Sequence, residues 1–241
     1  MKHITSLCCL IALLIFSSHV SNTPADRESS TALSKMENSS PSYILPSPET
    51  AGDISVEEAL ANRRSRRDFQ DKELSAEQLS QILWAAYGIT EPSRGLRTAP
   101  SAGALYPLEI YVVVGDVTEI EPGVYKYDPG EHKITRTVDR DIREELSVAA
   151  LNQAMIRNAP ITVVYTAVFS RITERYGERG RERYVFMEIG HSAQNIYLQA
   201  EALGLDTCAI GAFTDSRVSE LLSLSAEEEP FYFLPVGYAA S

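Results

Sequence analysis

The segment Ala61-Asn62-Arg63-Arg64-Ser65-Arg66-Arg67-Asp68-Phe69 sets four arginines around one serine in a chain of net charge −11. Like charges this close repel one another, and an anion held among them offsets that repulsion. Guanidinium forks match phosphate oxygens two at a time, and a hydroxyl or backbone N–H can fill the remaining lone pairs. The segment is therefore a candidate phosphate grip. The alternative is a solvated basic turn paired with Asp68, Asp71 and Glu73.

Two other segments are rich in small residues. Thr98-Ala99-Pro100-Ser101-Ala102-Gly103-Ala104-Leu105-Tyr106-Pro107 lies between an expected helix and an expected strand, and Ala209-Ile210-Gly211-Ala212-Phe213 lies at a strand end. Small side chains let a flat ligand approach the backbone, so that N–H and C=O groups reach its edge. Each segment also reads as an ordinary tight connection. Taken with the arginine cluster, they describe a phosphate clamp and two backbone platforms.

The elements that must position these segments follow from capping and periodicity. Ser55-x-x-Glu58 and Ser75-x-x-Gln78 are capping-box patterns. After the second, Leu79, Ile82, Leu83 and Ala86 recur at helical spacing, and Gly88 closes the helix. Leu108 to Val114 reads as a strand, and Val124–Tyr127 with Ile134–Val138 as a hairpin around Asp128-Pro129-Gly130. A helix is expected from about Asp141 to Arg157, and a buried strand from Ile161 to Phe169. The longest helix is expected from about Glu182 to Leu203, apolar on most faces and central to the core. A strand over Asp206–Ile210, a helix over Thr214–Leu222 and a strand over Phe231–Val236 complete the chain. This mixed order favours an α+β layered domain with a central sheet over a doubly wound one. There is no Gly-x-Gly-x-x-Gly after a strand and no Gly-Lys-Ser/Thr phosphate loop, so dinucleotide-fold and nucleoside-triphosphate readings lose their main support.

Composition sets further bounds. The acidic balance argues against nucleic acid or anionic membrane surfaces as partners, because both need a broad basic face. Lys2 and His3 precede the apolar run Leu7–Phe16 and then Ser17 and Ser18, the layout of a secretory signal over residues 1–22. That run is short for a membrane span. The chain is thus expected to be exported, to the periplasm or beyond, or to stay membrane-anchored if the segment is uncleaved. Residues 23–45, rich in Ser, Thr, Pro and Asn, read as a flexible tether, and residues 46–241 as the folded domain. Beyond Cys8 and Cys9 the only cysteine is Cys208, so no intrachain disulfide staples the domain. Cys208, in an apolar context, is expected to be a small buried hydrophobe. No His, Cys or carboxylate spacing points to a metal site.

The chain resembles the nitroreductase-like flavoproteins, in particular the branch of SagB- and McbC-type dehydrogenases. The resemblance rests on Arg63-Arg64-Ser65-Arg66-Arg67-Asp68-Phe69, Pro100-Ser101-Ala102-Gly103-Ala104-Leu105-Tyr106-Pro107, Gly190-His191-Ser192-Ala193-Gln194-Asn195 and Ala209-Ile210-Gly211-Ala212-Phe213, over about residues 45–240. It implies an α+β layered domain with a mostly antiparallel central sheet flanked by helices, and FMN held noncovalently at a homodimer interface. Arg63, Ser65 and Arg67 would hold the phosphate and ribityl chain, with Arg64 contributing contacts near the ring. Pro100, Ser101, Ala102 and Gly103 would line the ribityl and ring region, often from the partner subunit. Ile210, Gly211 and Ala212 would present backbone near flavin N5, and the helix around Gly190–Leu203 would form much of the dimer core. The implied chemistry is two-electron hydride transfer to a small-molecule substrate, with NAD(P)H or another electron donor. No catalytic acid or base is assigned. The alternative is a non-catalytic exported flavin-binding protein on the same fold.

Two departures from the family pattern matter. Many relatives add a basic residue near the C-terminus, whereas Pro235 to Ser241 contains no Lys or Arg, so the early arginines carry the phosphate largely alone. Peptide-modifying members use a Lys-Tyr pair as base, which here falls on Arg175-Tyr176. Arginine, with a pKa above roughly 12, cannot act as a base at neutral pH, which puts azole formation in doubt. The surrounding charged stretch, Arg171 to Arg183, is expected to be ion-paired or to contact substrate. His191 is expected to be buried or at an interface, and Trp84 and the tyrosines to serve core and interface.

Overall fold

The computed structural model describes residues 40–240. The signal segment and the tether up to residue 39 lie outside the described residues. Seven strands form one sheet: β1 (Ser42–Ile44), β4 (Leu108–Val114), β5 (Gly123–Asp128), β6 (Lys133–Val138), β7 (Ile161–Val168), β8 (Asp206–Thr207) and β9 (Glu228–Gly237). Their order is β1-β6-β5-β4-β7-β9-β8, every neighbouring pair antiparallel. A small separate hairpin pairs β2 (Ile89–Glu91) with β3 (Leu96–Arg97).

Strand alternation builds two cores. In β4, Ile110, Val112 and Val114 face one side, where they pack with Leu79, Ile82 and Leu83 of α2 (Ala76–Tyr87) and Ile189, Ala193 and Ile196 of α6 (Val185–Ala202). Tyr111 and Val113 face the other side. There they meet Leu146 of α3 (Arg143–Ala149), Ile156 of α4 (Ala154–Asn158), and Val218 and Leu222 of α7 (Asp215–Leu222). The result is a sheet covered by helices on both faces. Removing a fully buried aliphatic such as Ile196 to Ala is expected to cost about 2–5 kcal/mol.

One of the two expected capping boxes forms in full and the other by half. The α2 capping box is complete: Gln78 N–H donates to Ser75 Oγ (3.2 Å) and Ser75 N–H to Gln78 Oε1 (3.0 Å). At α1 (Val56–Asn62) only the Ser55 half forms, with Glu58 N–H donating to its hydroxyl.

Four expectations need correction. Residues 42–45 are not tether: β1 is an edge strand paired with β6, and Leu45 is buried. The helix expected over 141–157 is broken into α3 and α4, because Leu151 and Asn152 both adopt φ of +60°. The break docks on a distant segment: Gln153 Nε2 donates to Ala212 O, and Thr214 N–H to Ala149 O. The strand expected over 206–210 stops at Thr207, and the chain rejoins the sheet only at an Ile210–Phe233 bridge. The long helix begins with a π-helical turn, Gly180–Tyr184, that leads directly into α6.

Candidate functional site

The arginine segment leaves α1 in extended form and lies along the β8 edge of the sheet. Ser65 bridges Thr207, and Arg66 N–H donates to Thr207 O (3.2 Å). Successive residues then engage α6 one turn apart. The Ser65 hydroxyl is 3.0 Å from Tyr197 Oη, while Arg66 forms an ion pair with Asp206 and lies 3.9 Å from Glu201. Asp206 holds the Arg66 proton more firmly than usual, through their hydrogen bond first and their Coulomb attraction second. No carboxylate lies within ion-pair distance of Arg63, Arg64 or Arg67 among the described residues. The expected local partners Asp68, Asp71 and Glu73 form no ion pair with the cluster; the one arginine that is paired uses residues far along the chain.

The three unpaired arginines differ in aim. The Arg63 guanidinium lies over the Tyr197 ring, 5.3 Å from its centroid. Arg67 Nη1 is 3.4 Å from Ser65 O, and its charge opposes the rise that burial imposes on the Cys208 thiol. Arg64 turns back and donates to the carbonyls of Ala61 (2.9 Å) and Arg63 (2.8 Å). It therefore caps the C-terminal end of α1, where a cation is favoured. Asp68, Ala239 and Ala240 join Ser65–Arg67, Glu201 and Gly204–Asp206 in lining an open cleft of about 710 Å³.

The strand-end segment lies against this one. Ala209 N–H donates to Tyr197 Oη at 2.8 Å, so one phenol joins Ser65 to the start of Ile210–Ala212. Gly211 and Ala212 are exposed, and a Cβ on Gly211 would sit 3.8 Å from the Tyr232 ring. Cys208 is buried as expected.

The segment Pro100–Gly103 is elsewhere in the chain. Ser101 Oγ donates to Glu188 Oε2 (2.6 Å) and accepts from Tyr106 N–H (3.0 Å); Tyr87 donates its hydroxyl to Glu188 Oε1. Glu188 is buried, and burial raises its pKa above the ordinary value despite those two donors and nearby Arg97. The Arg97 guanidinium packs against both the Tyr87 and Tyr106 rings, 4.1 and 4.3 Å from their centroids, where the two rings meet edge to face. Asn195 Nδ2 donates to Thr98 O, which ties the loop to α6 a second time. Glu188, Ser192 and Asn195 fall on one face of α6; Tyr197 and Glu201, at about 100° per residue, fall on the opposite one. A single chain therefore brings together Arg63, Ser65 and Arg67 with Ile210–Ala212, and holds Pro100–Gly103 across the helix from them.

Arg175 and Tyr176, at the end of α5 (Ser170–Tyr176), border that second loop. A Cβ on Gly103 would lie 2.8 Å from Tyr176 Oη and 3.1 Å from Arg175 Nη1, and Gly103 has φ +64°. The charged stretch around them is only partly ion-paired. Arg171 pairs with Glu109 and Arg181 with Glu229, whereas Arg175, Arg179 and Arg183 have no carboxylate partner among the described residues. His191 is exposed, not buried, and shares the outer face of α6 with exposed Met187 and Gly190.

Sequence reasoning did not single out Tyr197, Tyr232, Glu188, Arg97 or the Arg66–Asp206 pair. Tyr197 lies two residues beyond the quoted Gly190–Asn195 motif, and that proximity was the available signal. The donor set fits a phosphate-bearing flavin: two free guanidinium groups and an exposed hydroxyl stand beside an exposed Gly-Ala backbone.

Comparison with known proteins places these features in context. The chain is 49% identical over 185 residues to MJ1384 of Methanocaldococcus jannaschii, provisionally named a nitroreductase, covering 77% of this chain and 91% of that protein. It is 32% identical to the trifolitoxin-processing protein TfxB of Rhizobium leguminosarum bv. trifolii over 79% of this chain, but spans only 54% of that relative. A crystal structure from Ralstonia eutropha, also provisionally termed a nitroreductase, superposes with a TM-score of 0.71 at 30% identity, over 83% of this chain and 90% of that one. The family model for nitroreductases matches residues 60–238, and the chain belongs to the Nitroreductase family.

Proposed function

We propose that this chain is an FMN-dependent oxidoreductase that works as a homodimer. Members of the family are generally FMN-dependent oxidoreductases. The observation that carries the reading is the charge state of the arginine segment. Arg63 and Arg67 flank an exposed Ser65 with no carboxylate to neutralise them, in a chain that is otherwise strongly acidic. Arg63, Ser65 and Arg67 hold the phosphate. Exposed backbone at Gly211 and Ala212 faces the ring from the same side of α6, whereas Ile210, expected to do the same, is buried with its N–H and C=O both bonded to Phe233. Bound FMN supplies two-electron hydride chemistry, and the protein supplies binding and orientation.

The homodimer follows from the split site. Pro100–Gly103 lies across α6 from the clamp, so a second copy supplies that loop to the first copy's cofactor. In support, the large apolar residues Phe186 and Met187 on α6 and Val56 and Leu60 on α1 are exposed, as are Gly190 and His191 on α6. The basic start and apolar run Leu7–Phe16 support action outside the cytoplasm. Among the described residues no helix is long and apolar enough to cross a membrane. Arg175 in place of a lysine base favours reduction of a small acceptor, such as a nitroaromatic or quinone, over azole formation.

The visible spectrum tests the reading. Purified protein is expected to carry, or to take up from added FMN, a bound yellow chromophore that bleaches with NADH, NADPH or another donor and recovers with a quinone or nitroaromatic. A protein that stays colourless with added FMN refutes the assignment. One that binds FMN but is reduced by no donor is a non-catalytic flavin-binding protein.

A further inference from the structure

Tyr197 stands where three features of the clamp meet. Its hydroxyl accepts the Ala209 N–H at 2.8 Å, lies 3.0 Å from Ser65 Oγ, and its ring lies under the Arg63 guanidinium. The direction of the second bond follows from the first. A backbone amide can only donate, so it occupies a lone pair of Oη. The phenol has one proton, and Ser65 Oγ is the acceptor within reach. With Tyr197 donating to Ser65, the serine's own proton is left to point outward from an exposed position. The reverse arrangement would make Oη accept twice and leave its proton without a partner.

We infer that Tyr197 is a positioning residue that orients the Ser65 hydroxyl as a donor toward the phosphate of the bound flavin, an inference that rests on the flavin reading above. The relay runs from Ala209 N–H through Tyr197 O–H to Ser65 O–H, so the serine proton points outward beside the donors of Arg63 and Arg67. Such a donor-rich, cationic set favours an anion over a neutral hydroxyl, because each of its hydrogen bonds to an anion is charge-assisted. The same phenol ties the phosphate side of the site to the segment leading into Ile210–Ala212.

The test compares FMN with riboflavin, which lacks the phosphate, by flavin fluorescence titration of the full chain and of Y197F, S65A and Y197F/S65A. Wild type is expected to prefer FMN. Y197F removes one oxygen from a half-exposed ring and is expected to weaken FMN about tenfold while leaving riboflavin unchanged. S65A is expected to show the same loss, and the double variant no more than the larger single loss, because both act through one hydroxyl. S65T, which keeps the hydroxyl, is expected to restore FMN affinity. Additive losses in the double variant, or equal weakening of FMN and riboflavin by Y197F, overturn the inference while leaving the flavin reading intact. Wild-type protein that binds riboflavin as tightly as FMN overturns the phosphate clamp and the role of Tyr197 together.

Discussion

The two sides of α6 handle polar groups in opposite ways. On the side of the arginine segment, Ser65, Arg67 and the Gly211–Ala212 backbone stay exposed and Arg63 is half-buried against Tyr197, with few internal partners for their donors. Across the helix, Ser101, Tyr87, Glu188, Asn195 and Thr98 satisfy one another, and only backbone and small side chains at Pro100, Gly103 and Ala104 face out. Like charges clustered without a carboxylate to offset them repel one another and point to an anionic ligand. A closed polar cluster does not bind anything itself; it fixes the shape of the loop above it. On the proposed reading, charge holds the cofactor on one side of the helix, and shape receives it on the other.

The largest effect that could break this contrast is loss of the clamp. Replacing both Arg63 and Arg67 with Ala removes two charge-assisted contacts, each worth about 1.5–3 kcal/mol, so FMN affinity is expected to fall on the order of a hundredfold or more. Both side chains lie at the surface with no carboxylate partner, so the thermal midpoint is expected to stay nearly constant. Fluorescence titration and a melting curve on the same sample check both halves. Unchanged FMN affinity would move the phosphate elsewhere, and a collapsed melt would make the arginines structural.

A smaller effect is expected across the helix, and of the opposite kind. Gly103 sits at φ +64°, a Cβ added there would meet Tyr176 Oη at 2.8 Å, and Ala104 and Tyr106 also have positive φ. G103A is expected to cost about 1–2 kcal/mol of stability, a drop of a few degrees in melting temperature, because an L side chain is strained there. Its effect on affinity is expected to reach FMN and riboflavin equally, since on the proposed reading the loop meets ring and ribityl chain by shape. A selective loss of FMN would place the phosphate on this side and erase the contrast.

What could be read from the sequence follows the same division. The arginine segment was legible as a candidate phosphate grip because its chemistry is contiguous: four arginines and a serine in five residues need no fold to be noticed. The sheet and the long helix were legible because β4, β7 and α6 carry strong periodicity and burial. Tyr197 and Glu188 were not, because their roles are set by partners 132 and 87 residues away in the chain. Taken alone, each is one more polar residue on an apolar helix. The break at Leu151 and Asn152 was hidden for a related reason: contacts to Ala212 and Thr214 override a segment whose local preference is helical. Edge strand β1 was hidden by its Ser- and Pro-rich surroundings, and only pairing with β6 gives it a form.

The smallest expected effect probes the closed cluster itself. Burial raises the Glu188 pKa above its ordinary value of 4.5, and the hydroxyls of Ser101 and Tyr87 oppose that rise without cancelling it. The neutral form is therefore favoured in the folded state. Its contribution is fully present below the unfolded value, and it is lost as pH rises through the raised folded value. E188Q cannot ionise and lacks this slope. Its amide also forces one of the two hydroxyls to accept instead of donate, an offset that does not vary with pH. Melting curves taken upward from pH 4 are therefore expected to show the Gln variant gaining on wild type above about pH 4.5, then running parallel to it. If wild type gains instead, the two hydroxyl donors and Arg97 outweigh burial. Glu188 would then be a stabilised anion, and the loop side of α6 would carry a fixed negative charge facing the cationic side across the helix.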